Sequence, residues 1–248
     1  MIKLNHLYKN YGNHTGIENI HLSVSAGEIF GFIGPNGAGK TTTIQIMAGL
    51  LSPTKGDVFL SNVSMIENPV NAKRLIGYIP DRPYIYEKLT GFEYLKFISD
   101  FYPISKKYFN KKSEQLLEMF ALSDRRDELI EAYSHGMKQR LIMVSALLHD
   151  PPIIIVDEPM VGLDPVAIKL VRNIFKEMSK KGTTIFLSTH TLSLAEQICD
   201  RVGIIHKGQL ITTGSMDELK ASAKSGTEDL EDIFFQLTFE EQGMSNLS

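Results

Sequence analysis

Gly34-Pro35-Asn36-Gly37-Ala38-Gly39-Lys40-Thr41-Thr42 is the stretch that decides how this 248-residue chain folds. It fits the pattern G-x-x-x-x-G-K-[ST], with Gly34, Gly39, Lys40 and Thr41 at the fixed positions. Its glycines let successive backbone N–H groups turn inward around phosphate oxygens. Lys40 is then placed to reach the β- and γ-phosphates of a nucleotide, and the Thr41 hydroxyl to take a site on Mg²⁺. The flanks agree: Glu28 to Ile33 reads as a short buried strand and Thr42 to Leu50 as a helix, so the phosphates would meet a helix N-terminus. The plain alternative is a glycine-rich strand–helix turn with no ligand.

Upstream, Ile2, Leu4 and Leu7, then Ile20, Leu22 and Val24, then Ile29 predict an antiparallel strand set over one side of the loop. Tyr11 lies between two such strands, where it could stack on a base or simply pack. Downstream, Asp57–Leu60 and Leu75–Ile79 read as strands, and Pro80-Asp81-Arg82-Pro83 breaks the regular structure. From Thr90 the period is helical, with Phe92, Leu95, Ile98 and Phe101 on one face; Tyr108, Phe109, Leu116, Leu117 and Phe120 suggest another helix. Lys106, Lys107, Lys111 and Lys112 face away from that stripe and read as solvated. Residues 84–150 therefore look like a helical lobe inserted in a nucleotide domain, closing with a helix from Gly136 to Leu148.

Ile153–Val156 is a continuous apolar run, suited to a central parallel strand, and it ends in Asp157-Glu158-Pro159. Adjacent carboxylates at the C-terminal edge of such a strand belong at a ligand crevice. A helix follows from Pro165 to Met178, then a strand at Thr184–Leu187 leading to Ser188-Thr189-His190. Val202–Ile205 and Gln209–Ile211 read as a hairpin. A last amphipathic helix through Leu230, Ile233, Phe234 and Leu237 and a loose tail from Glu240 make 221–248 a C-terminal extension.

Composition narrows the class. An apolar fraction of 43% is ample for a core, and a net charge of -3 gives no reason to expect nucleic acid as a partner. One cysteine, Cys199, excludes an intrachain disulfide and reads as core filler. There is no signal-peptide pattern at Met1–His6 and no run of 18 apolar residues, so any membrane role would come through a partner.

In order, the phosphate loop, Ser134-His135-Gly136-Met137-Lys138-Gln139, Ile153–Pro159, Gly162-Leu163-Asp164-Pro165 and Ser188-Thr189-His190 resemble the nucleotide-binding subunits of ATP-binding-cassette (ABC) transporters, over residues 1 to about 220. The resemblance implies an α/β P-loop NTPase core with a mixed or parallel sheet, an antiparallel β subdomain and the helical lobe. It implies ATP and Mg²⁺ as cofactors and ATP hydrolysis as the reaction. Residues Gly34 to Thr42 would bind ATP, with Tyr11 stacked on adenine. Thr41 and Asp157 would serve the metal, with Asp81 where the family commonly has Gln. Glu158 would be the base that orients water and His190 the histidine touching the γ-phosphate. Ser134, His135, Gly136 and Met137 would meet the ATP of a partner subunit, and Asp164 would link two subunits.

The usual signature reads Leu-Ser-Gly-Gly-Gln, so His135 and Met137 are departures. His135 could add a donor or be tolerated bulk. The partners implied are a second copy or a homologous ATPase, meeting head to tail, and an integral membrane permease received near Tyr84-Ile85-Tyr86 and Phe92. The chain would lie on the cytoplasmic face of the membrane through that permease, with a resemblance to export-type systems. A soluble ABC-type ATPase acting on ribosomes or DNA is the alternative. A P-loop kinase would leave the signature and His190 unexplained.

Overall fold

Apolar–polar alternation builds β1 (Ile2–Tyr11) and β2 (His14–Val24), joined by a tight hairpin at Gly12-Asn13 in which Gly12 takes φ +58. In the computed structural model, which describes residues 1–82, 84–222, 231, 234 and 235, these strands pair with β4 (Lys55–Leu60) and β5 (Val63–Ser64) in the order β2-β1-β4-β5. The second sheet contains β3 (Ile29–Ile33), β6 (Ile76–Ile79), β7 (Ile153–Asp157), β8 (Thr184–Thr189), β9 (Arg201–His206) and β10 (Gln209–Gly214). Its order is β10-β9-β3-β8-β7-β6, parallel except for the antiparallel β10. Ile29 was expected in the antiparallel set but belongs to this second sheet. It opens β3, a strand buried on both faces, where alternation carries no signal.

The helices are α1 (Lys40–Met47), α2 (Pro69–Arg74), α3 (Gly91–Ser99), α4 (Lys106–Met119), α5 (His135–Leu147), α6 (Pro165–Lys180), α7 (Leu192–Ile198) and α8 (Met216–Ser222). Among the described residues no helix is long and apolar enough to cross a membrane. Side chains cap the starts: Thr90 and Glu93 form a reciprocal capping box on α3, and Ser105, Ser134 and Asp164 cap α4, α5 and α6. The short α2 has a single buried residue, Ala72, and left no periodic trace to read. The expected C-terminal amphipathic helix lies almost wholly outside the described residues.

Two cores flank the six-stranded sheet. On one face Phe30, Phe32, Ile153, Ile155 and Phe186 pack against α1 and the inner face of the antiparallel sheet, so α1 is held between sheets. On the other, Ile79, Ile154, Val156, Ile185 and Leu187 pack against α5, α6 and α7, continuing into Leu95, Phe109 and Phe120 of the lobe. Each fully buried side chain of this size contributes about 1.5–3 kcal/mol. The lobe therefore shares its core with the sheet. Lys112, expected to be solvated, is instead largely shielded and pairs with Asp150. Cys199 is buried beside Gly31, which raises its thiol pKa and makes it the inert filler expected.

His149 sits where α5 turns toward β7. Its Nε2 donates to the Ile76 carbonyl at 3.1 Å, its ring stacks on Tyr102, and its buried Nδ1 has no partner among the described residues. Burial pushes its pKa down to about 4, against the opposing pull of the Ile76 carbonyl and Asp150. The folded state then binds this proton less readily than the unfolded chain, whose histidine titrates at about 6.5. Stability is therefore full above pH ~6.5 and falls as pH drops toward about 4. Melting curves across that window should show the fall, and His149→Gln should flatten it.

Candidate active site

Adjacent parallel strands deliver the site. The phosphate loop leaves β3, Asp157 and Glu158 leave β7, Ser188 and Thr189 end β8, and Asp81 follows β6. Register aligns them at one edge: Ile33 pairs with Thr189, and Asp157 with Ser188. A cavity of about 310 Å³ opens there, lined by the loop, Asp81, Asp157, Glu158 and the hairpin residues Tyr11, His14, Thr15 and Gly16. This is the C-terminal crevice of an open parallel sheet.

Sterics dictate the loop glycines. A Cβ on Gly34 would lie 2.4 Å from the Ile205 carbonyl oxygen, and one on Gly39 2.7 Å from Ile17 Cγ2, with φ already +108. Gly39 also precedes α1 and accepts from the Thr43 hydroxyl at 2.9 Å, so the loop's free N–H groups gather at a helix N-terminus. Lys40 is buried. Its Nζ donates to the Gly34 and Pro35 carbonyls at 2.7 and 3.2 Å and lies 4.0 Å from Glu158 Oε1. Burial lowers its pKa, while Glu158 and Asp157 oppose the shift.

Asp157 is buried, and its Oδ1 accepts from the Ser188 hydroxyl at 2.5 Å. Glu158 adopts φ +49, a left-handed conformation costing about 1–2 kcal/mol for a residue with a Cβ. Such strain at a site signals a geometry that the surroundings enforce. Here the Ser188 hydroxyl accepts from the Glu158 amide at 3.2 Å, and His190 Nδ1 lies 2.9 Å from Glu158 Oε1. With the carboxylate ionised, Nδ1 must carry the hydrogen and donate. The Tyr78 phenol is pushed up to about 12, first by burial and then by the Asp157 and Asp81 charges. Three carboxylates thus share the cavity with one ammonium, an excess of negative charge.

The structure brings Tyr11, the phosphate loop, Asp81, Asp157, Glu158 and His190 together as the sequence suggested. Tyr11 lies against Gly16, where a Cβ would come 2.7 Å from its ring, and it stays 46% exposed, leaving ring surface for stacking. Ser134, His135, Gly136 and Asp164 stand apart from this cavity. Asp164 uses Oδ1 to cap α6, accepting from the Val166 and Ala167 amides. The Met137 side chain packs on the lobe core. Phe92, expected on a docking surface, packs on Phe109 under the Arg126 guanidinium and belongs to the lobe. Ser188, His14 and Gly16 were missed as site residues. Ser188 could have been found by pairing the ends of the two apolar strands, and Gly16 by its place beside an aromatic in a short hairpin.

This arrangement defines the class, a P-loop nucleotide hydrolase with an added antiparallel sheet. The ABC transporter family profile matches residues 17–161. The bacitracin transport ATP-binding protein BcrA of Bacillus licheniformis is 40% identical over 221 residues, 89% of this chain and 71% of that protein. The solved structure of an ATP-binding subunit of an ABC transporter superposes with TM-score 0.90 at 33% identity, covering 96% of this chain and 99% of that one. A dimeric ATP-binding cassette in a post-hydrolysis state, bound to ADP and Pi, gives 0.76 at 25% identity, covering 87% and 98%. The chain belongs to the ABC transporter family; it is an ATP-binding subunit and an ATPase.

Proposed function

We propose that two copies of this chain, or this chain and a homologous subunit, close head to tail over two ATP molecules and drive a separate membrane permease, in the direction of export. The observation that carries the dimer is Gly136. It stands at the exposed start of α5, its φ is ordinary, and a Cβ there would approach nothing among the described residues closer than 3.5 Å. None of the described residues around it demands glycine, whereas a γ-phosphate meeting the Gly136 N–H and the Ser134 hydroxyl from across an interface would. Gly136→Ala should therefore melt within a few degrees of the parent and still bind ATP as a monomer. In gel filtration with ATP it should fail to form the dimer expected of the parent. A dimer of undiminished stability would defeat the reading.

Within the pocket, Lys40 leaves its loop carbonyls for the phosphate oxygens, and the loop N–H groups cradle the rest of the chain of phosphates. Tyr11 stacks on adenine. Glu158, held by His190 on one side and by the Ser188 hydroxyl beneath its amide, accepts a proton from the attacking water. His190 Nε2 is left free to face the γ-phosphate. A triphosphate entering beside Asp81, Asp157 and Glu158 needs compensating positive charge, and a hard cation with oxygen ligands fits Thr41, Asp157 and Asp81. Bound there, Mg²⁺ would neutralise charge on the β- and γ-phosphates.

A second cavity of about 360 Å³, lined by Leu50, Tyr78, Tyr84, Ile98, Tyr102 and Ile142 among others, has the apolar character of a helix-receiving groove. Tyr84, 94% exposed at its rim, supports this as the place for a permease helix. The likeness to a bacitracin transport subunit supports a role in transport, and export is the direction we assign to it. Capture of the tagged chain from detergent-solubilised membranes should recover an integral membrane protein. Recovery of ribosomes or DNA, with no membrane protein, would favour a soluble ATPase instead.

A further inference from the structure

His135 replaces a glycine of the common signature, and the sequence alone left its role open. In the structure its imidazole lies directly over Gly162. A Cβ built on Gly162 would come 2.3 Å from His135 Nδ1 and 2.6 Å from Cε1, and φ at Gly162 is +77. Gly162 belongs to the turn that leaves Glu158: the Val161 amide donates to the Glu158 carbonyl at 3.3 Å, and the Leu163 amide to the Met160 carbonyl at 3.3 Å. The turn ends at Asp164, which caps α6. On the other side, His135 is the first residue of α5, directly after the Ser134 cap.

We infer that His135 is a positioning residue: its contact with Gly162 fixes the 158–164 turn to the start of α5 within one protomer. This rests on the proposed dimer for its consequence, because the start of α5 would face the partner's ATP while the turn carries this chain's own Glu158. A displacement of the α5 start on closure is then passed to Glu158 through packed atoms rather than through a proton. The ring supplies bulk at the right place, so any planar ring should serve.

The test compares ATPase kinetics of the full-length chain and its variants. His135→Phe should retain more of the parental kcat than His135→Ala and should leave the shape of the pH–rate profile unchanged. His135→Ala should lower kcat about threefold with KM for ATP nearly constant, and should hardly move the melting temperature. Gly162→Ala, overpacked against the ring, should lose about tenfold in kcat. Adding His135→Ala to it should recover about threefold, although the left-handed φ remains unfavourable. Two results would overturn the inference: a double variant no better than Gly162→Ala, or a His135→Phe chain whose pH–rate profile changes shape. If Gly162→Ala fails to fold, His135→Phe against His135→Ala still decides, since equal losses in both would exclude packing as the role. A Glu158→Gln chain that stays monomeric with ATP would count against the dimer alone, because the rescue is read within one chain.

Discussion

Glu158→Gln is expected to bind ATP at least as tightly as the parent while steady-state hydrolysis falls at least about a hundredfold, the scale of a lost general base. The substitution is nearly isosteric, and its amide oxygen can still accept from His190 Nδ1, so the 2.9 Å contact survives. The left-handed turn also survives, because the Glu158 amide and the Ser188 hydroxyl are untouched. What disappears is the basic oxygen and one negative charge beside Lys40 and Asp157. Losing that charge should favour a bound triphosphate, so the variant should accumulate as an ATP-stabilised dimer. Phosphate release and nucleotide binding measured on the same preparation separate the two effects. Hydrolysis at the parental rate would remove Glu158 from the role of base. Weakened ATP binding would mean that the carboxylate is part of the binding site itself.

The sequence was most informative where chemistry restricts residue type. A phosphate loop must carry glycines, and here the near-contacts of Gly34 and Gly39 with Ile205 and Ile17 show the demand. The buried strands β7 and β8 were visible as apolar runs, and their ends carry Asp157 and His190. Alternation failed for β3, which is buried on both faces, and misled on Ile29. It also offered nothing for α2, which has only one buried residue. The missed site residues share a cause. Ser188 acts by accepting from the Glu158 amide and donating to Asp157, and only its register opposite Asp157 sets that hydroxyl apart from any other strand-end serine. Lys112 reads as a surface charge until α4 is seen to lean on Asp150. The His135 contact needed three dimensions outright, since 27 positions separate it from Gly162 and neither residue type predicts the other.

Lys40→Ala should weaken ATP binding by about a hundredfold or more. Hydrogen bonds to a charged donor are worth about 1.5–3 kcal/mol each, and Lys40 is placed to make them to both the β- and γ-phosphates. Losing about 3 kcal/mol corresponds to roughly a hundredfold in affinity. Stability without nucleotide should change far less. The ammonium's partners in the free chain are the Gly34 and Pro35 carbonyls and, at 4.0 Å, Glu158, and Lys40 itself lines an open cavity from which water can take its place. A melting-temperature change of no more than a few degrees is expected, with the calorimetric affinity for ATP carrying the effect. The parent should show a related pH signature. Burial holds the Lys40 pKa below that of an ordinary lysine, so ATP affinity should begin to fall at a lower alkaline pH than a solvated lysine would dictate. That alkaline fall should be absent from Lys40→Ala. Affinity within threefold of the parent would show that the loop N–H groups and the N-terminus of α1 hold the phosphates by themselves, with the lysine serving only to brace the loop.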